Sequence, residues 1–170
     1  VDFAGSTVVH SVAGWVSLAA VIIIGPRAGR YDGSGGNFRS HSLPISALGV
    51  FTIWVGWIGF NGGSTLAASA AVPMIVFNTL IAGAFGGLAS IAIGPLLFGR
   101  MDVPSMMNGA LAGLVAITAS AHAVDPWAAV LIGAVGGALS VLASRVLERM
   151  RIDDVLSAFP VHAVAGVWGT

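Results

Sequence analysis

Of 170 residues, 56% are hydrophobic and 8% are charged, against a usual charged share of about 25%, so most of the chain cannot face water and a soluble globular domain is excluded. Seven arginines cancel seven acids and there is no lysine, which removes the basic field that nucleic-acid binding requires. The absence of Cys excludes disulfides, thiolate zinc sites and cysteine nucleophiles.

Charged residues divide the chain into apolar runs at 3–26, 40–99, 103–124, 126–144 and 155–170. A spanning helix needs about 20 apolar residues, so the long second run holds two crossings, with a turn at Asn61-Gly62-Gly63-Ser64. The predicted fold class is therefore an all-α integral-membrane bundle of six segments. They are Phe3 to Gly25, Pro44 to Phe60, Ala67 to Phe98, Val103 to His122, Trp127 to Ser144, and an incomplete one from Val155. The first run begins with an acid and lacks a basic start, so it is expected to be a span and not a signal peptide.

Arginines set the orientation, because short cytoplasmic loops collect basic residues. Arg27, Arg30 and Arg39 follow the first segment, Arg100 the third, and Arg145, Arg149 and Arg151 the fifth. With six crossings, loops 26–43, 99–102 and 145–154 share one side, predicted to be the cytoplasm. The opposite loops carry only Asp125. Between Gly25 and Ser42 a Gly-Ser-Gly-Gly run reads as a flexible connector. The pairs Gly83/Gly87, Gly109/Gly113 and Gly133/Gly137 each leave a helix face bare at a four-residue interval, the pattern that lets membrane helices approach closely.

The first and last segments repeat one another. Val9-His10-Ser11-Val12-Ala13-Gly14 matches Val161-His162-Ala163-Val164-Ala165-Gly166 at five positions of six, and each His follows an Asp, Asp2 or Asp154, by eight residues. Segments five crossings apart run in opposite directions, so this is the trace of an inverted repeat, an architecture that places a site near the bilayer midplane. Eight residues put each His about 12 Å along its helix from its Asp. A polar residue at that depth is costly and faces a cavity or a partner. His10 and His162 are thus expected to meet, one imidazole donating to the other, with the pair neutral or holding one proton. No carboxylate or Cys shares their depth, so neither a metal nor another cofactor is expected. No hydrolytic triad, phosphate loop or redox site appears either, and an enzyme is not expected.

Four motifs, Asp2 to His10, Gly56 to Ser64, Asn108 to Thr118 and Val161 to Gly166, occur in an order that resembles the ammonium transporter (Amt/MEP/Rh) family, Amt/MEP branch, across essentially the whole chain. Members of that family have eleven transmembrane helices in a five-plus-five inverted repeat and assemble as homotrimers with one pore per subunit. The resemblance maps residues 1–170 onto helices five to ten, a partial transporter domain without the N-terminal helices and the last one. It implies that His10 and His162 are pore-lining twin histidines, that Phe60 is an outer gate, that Ser64 belongs to the ammonium recruitment site, and that Asp2 shapes the pore. Trp57 lies beside Phe60 and Ser64 on one helix face and joins that outer site, where an aromatic face and a hydroxyl suit an ammonium ion. Pro160, just before His162, removes one backbone donor there.

The implied function is recruitment of NH4+ outside, its deprotonation, and passage of ammonia through a hydrophobic pore in the cell membrane. The same fold also serves as an ammonium sensor joined to a cytoplasmic signalling module, and the residues alone leave both functions open. Implied partners are ammonium or ammonia, the lipid bilayer, two further copies of the chain, and a PII-type regulator or fused signalling domain.

Overall fold

The protein is described by a computed structural model covering residues 2–34, 38, 41–100 and 102–170; Arg39 and part of the Gly-Ser-Gly-Gly connector lie outside the described residues. Among the described residues every regular element is helical. Helix α1 runs Ser6–Ile24, α2 Leu43–Gly63, α3 Val72–Phe98 and α5 Pro126–Arg149, each long and apolar enough to cross a membrane. Between the last two lies α4, Val103–Ile117, a shorter apolar helix of 15 residues. Helix α6 opens as a π-helical segment, Phe159–Val164, and continues as Ala165–Gly169.

Helix starts follow local chemistry. Ser42, Asp102 and Asp125 each accept a hydrogen bond from a backbone N–H three residues on, and a proline in the first turn of α2 through α5 costs no donor that the helix would use. Helix α3 stops at Gly99, whose φ of 71° closes the end with a bond to Pro95 O.

Several boundaries differ from the sequence expectation. Helix α2 continues through the Gly-rich stretch to Gly63, because Asn61 and Gly62 are buried against α3 and Asn61 Nδ2 donates to Thr79 Oγ1. Helix α4 ends early, at Ile117, where the next two carbonyls turn away: Thr118 O and Ala119 O accept the N–H groups of Ala4 and Phe3 at 3.0 Å each. At its far end α5 runs on past Ser144 to Arg149, with Arg145 and Arg149 inside the helix.

Small residues set the packing. Helix α3 is gripped by α4 on one side and α5 on the other. A Cβ at Gly113 would stand 2.3 Å from Ala82 O, one at Gly133 2.2 Å from the same atom, and one at Gly137 2.1 Å from Gly86 O. The α3 residues met by the backbones of α4 and α5 are Ala82, Gly86 and Ser90. Of the Gly83/Gly87 pair read from the sequence, Gly83 is tight against the Trp54 ring and Leu114, where a Cβ would stand 2.7 and 2.8 Å away, while at Gly87 the nearest atom is an ordinary 3.5 Å away. The outward faces of α1 and α2 stay apolar and exposed, with Val8, Val16, Ile23, Leu48, Phe51 and Val55 among them.

The arginine-bearing loops share one end of the bundle. Arg27 meets Asp153 in a two-pronged ion pair, Nε to Oδ2 at 2.6 Å and Nη2 to Oδ1 at 2.8 Å, and Arg30 reaches Glu148 at 2.9 Å. The Arg145 guanidinium, near the end of α5, lies 5.3 Å from the ring centre of Phe98, the last residue of α3, so the α3 end beside loop 99–102 joins the same region. The Arg27 hydrogen bond holds the Asp153 carboxyl below its usual range, and the same bond holds the Arg27 guanidinium above its own.

Candidate functional site

Two matched helix openings build the centre. The chain enters α1 through Gly5 at φ 104°, a left-handed conformation that suits glycine, and Gly5 O accepts both Val9 N–H and His10 N–H, at 3.1 and 3.0 Å. The second of these spans five residues, so the turn Ser6–Ser11 that carries His10 is π-helical, wider than an α-turn. His162 occupies the equivalent wide turn of α6.

Each wide turn is capped by the acid eight residues before its His. Asp2 Oδ2 accepts the N–H groups of Thr7 and Val8 at 3.0 and 2.8 Å. Asp154 accepts those of Ala158 and Phe159 at 3.0 and 2.8 Å, one through each oxygen. The shift by one residue has a simple cause. Pro160 stands where Val8 stands in the first half and has no N–H to give, so the carboxylate reaches one residue earlier. Asp2 therefore lies at the end of the helix, where it organises the opening of α1.

The two openings cross where each His is followed by Gly at the fourth position. A Cβ on Gly14 would stand 2.3 Å from Ala163 N, and one on Gly166 2.5 Å from Ser6 O. This contact brings the histidines together: the His10 and His162 rings stack with centres 5.3 Å apart and planes 18° apart. The hydrogen bond expected between them is replaced by this stacking, and His10 Nε2 and His162 Nδ1 are buried without a hydrogen-bond partner.

His10 also stacks on Trp57, at 5.0 Å and 14°, and faces the tilted Phe60 ring at 5.4 Å. Trp57 is 6% exposed, and its indole N–H donates to Thr118 Oγ1 at 2.9 Å. It therefore sits inward on His10, whereas Ser64 lies two turns farther out at the C-terminal cap of α2. Phe60, 38% exposed, joins the two levels. The Ser64 hydroxyl donates to Phe60 O at 2.7 Å, which leaves its oxygen lone pairs free to accept from a cation.

Two participants were not singled out from the sequence. Thr118 closes the Asn108 to Thr118 motif that shares in the family resemblance, but nothing in that motif marks its hydroxyl as the acceptor for Trp57. The Arg27–Asp153 pair joins residues 126 positions apart, a pairing that no local pattern encodes.

An all-helical membrane fold, with two antiparallel repeats delivering stacked imidazoles to an aromatic-lined centre, defines a class of membrane protein built on an inverted repeat. The family model described as Ammonium Transporter Family matches residues 1–170, and the chain belongs to that family. It is 47% identical to ammonium transporter Amt2 of Archaeoglobus fulgidus over 99% of this chain and 36% of that protein. A solved structure described as "Sensor Amt Protein" superposes with a TM-score of 0.92 at 43% identity, over 99% of this chain and 42% of that one. Saccharomyces cerevisiae Mep2 does so with a TM-score of 0.85 at 35% identity, over 99% and 38%. The chain thus spans well under half the length of these relatives.

Proposed function

We propose that this chain forms the gate and the histidine-lined constriction of an ammonium transporter. NH4+ is collected from outside at Ser64 and Phe60, loses its proton at or near the pore entrance, and passes as NH3 along His10 and His162. The proton follows through the histidine pair. Bare NH4+ is held back by the cost of dehydrating an ion in an apolar bore. The observation that carries this reading is the stacked His10–His162 pair, set among aromatic rings in apolar helices.

Membership of the family and the apolar helices support a multi-pass membrane protein; the rest of the proposal is a place in the cell membrane, assembly as a homotrimer, and control by a PII-type regulator or a fused signalling domain. The positive-inside rule supports a cytoplasmic side for the end of the bundle that carries Arg27, Arg30, Arg100, Arg151 and, at the end of α5, Arg145 and Arg149. In the complete protein, His10→Ala and His162→Ala should each change ammonium-evoked currents on supported membranes while oligomer assembly is kept. Unchanged currents, or equal loss of assembly in both, would refute the pore role.

The likeness to "Sensor Amt Protein" favours a second reading, in which the same constriction binds ammonium for signalling. Flux into liposomes separates the two, since a sensor binds ammonium without sustained flux.

A further inference from the structure

One turn of the chain, just past α4, governs the surroundings of a single imidazole. Thr118 is fully buried. Its hydroxyl donates to Leu114 O at 2.7 Å and accepts the Trp57 indole N–H at 2.9 Å, so both its donor and one acceptor site are committed. Trp57 in turn lies nearly parallel on His10. The backbone of the same turn holds the entry to α1, with Thr118 O bonded to Ala4 N–H and Ala119 O to Phe3 N–H. Ser6 Oγ adds a bond to Val115 O at 2.6 Å. The side chain on which His10 stacks and the segment that launches His10 are thus both referred to residues 115–119.

We propose that Thr118 is a positioning residue for His10, setting the plane of its ring through Trp57; this rests on the reading of His10 as a pore residue. An indole held by stacking alone can rotate in its slot, whereas one pinned at Nε1 cannot. The pin is strong because a buried N–H without an acceptor is costly, and Thr118 Oγ1 is the acceptor it has. The hydroxyl's own donation to Leu114 O polarises its oxygen and strengthens the bond it receives. Removing the hydroxyl leaves the indole N–H buried and unpaired, so the indole tilts toward another acceptor and the stacked imidazole moves with it. Ser64 lies outside this chain of contacts, whereas Phe60 faces both the Trp57 and His10 rings at 5.4 Å, so the hydroxyl side of cation capture is spared and the aromatic side adjusts with the tilt.

The test uses the complete protein in liposomes, with ammonium flux measured against concentration and pH, histidine signals read by 15N NMR, and melting temperature recorded for each variant. Thr118→Val keeps the shape and removes the hydroxyl. It should lower the limiting flux roughly fivefold, the size of one net hydrogen bond, change the half-saturating concentration less than Ser64→Ala does, and move the imidazole signals assigned to His10. Thr118→Ser should restore both. Trp57→Phe, which removes the N–H and keeps a stacking face, should reproduce the shift, and adding Thr118→Val to it should change nothing further. A Thr118→Val protein with wild-type flux and His10 signals overturns the proposal, as does a Thr118→Ser protein that behaves like Thr118→Val, or additive effects in the double variant. Should the wild type pass no flux, the transport reading fails by itself; the NMR and double-variant measurements then still decide the role of Thr118.

Discussion

Substituting alanine for Gly137 tests the helix seam on which the whole site rests. The new Cβ would lie 2.1 Å from Gly86 O and 2.7 Å from Gly86 Cα, about 1.3 Å short of the 3.4 Å at which ordinary contact begins. The obstacle is the backbone of α3, so no flexible side chain can swing away and α5 itself must move. One turn earlier, Gly133 is pressed as tightly on Ala82, so the shift spreads along the seam. Overpacking of this kind costs about 1–3 kcal/mol, and a backbone obstacle places Gly137→Ala near the upper end. Gly87→Ala is the matched control. Its Cβ would meet Ala110 Cβ at 3.5 Å, and loss of glycine's freedom within a helix contributes about 0.5–1 kcal/mol in its favour. The two variants should therefore shift stability in opposite directions and differ in melting temperature by several degrees, read from intrinsic fluorescence of the complete protein in detergent. Equal melting temperatures, or a Gly137→Ala protein more stable than Gly87→Ala, would refute the packing argument.

Acid should loosen the arginine-bearing end. The folded Asp153 carboxyl sits below its usual range because of the Arg27 hydrogen bond, so its contribution is complete above the unfolded value, about 3.9, and is lost as pH falls through the lower folded value. Asp153→Asn should remove this acid-dependent step from a melting-temperature series between pH 7 and 3. It should also cost about 2 kcal/mol at neutral pH, less than a fully buried pair, since the Arg27 side chain is 42% exposed. Asp154→Asn should destabilise by about 1 kcal/mol more than Asp2→Asn, measured by thermal melting, because Asp154 uses both oxygens for its two bonds and Asp2 uses one oxygen for both. Ser64→Ala should weaken ammonium binding in a titration of the complete protein by about 1.5–3 kcal/mol at most, the range of a hydrogen bond to a charged group. Unchanged affinity would remove Ser64 from the recruitment site.

What the sequence could reveal depended on where each signal lies. The spans were legible because charge is excluded from the bilayer, and the repeat was legible because two histidines and two glycines recur at fixed spacing in opposite-running segments. Helix ends were less legible. Asn61-Gly62-Gly63-Ser64 has the composition of a turn, yet burial against α3 keeps Asn61 to Gly63 helical. Thr118 and the residues after it have helical composition, yet the chain bends there because their carbonyls bind Phe3 and Ala4. Both outcomes hinge on contacts distant in sequence. The pairing of His10 with His162 could be inferred, but its stacked form could not, since ring orientation depends on Trp57 and on wide turns that leave no mark in composition.

Those wide turns make the distance between acid and histidine a counted quantity. Both halves separate Asp from His by eight residues, and both contain a turn one residue longer than an α-turn. Three of the residues in between differ: Ser6, Thr7 and Val8 in one half correspond to Ala158, Phe159 and Pro160 in the other. Deleting any one of them would let the wide turn tighten into an ordinary one and would swing the imidazole about 100° around its helix, off its partner's face, with every other side chain intact. The two halves agree in count while differing in content, so the segment between cap and ring behaves as a spacer of fixed length, within which single positions such as Ser6, bonded to Val115 O, carry duties of their own.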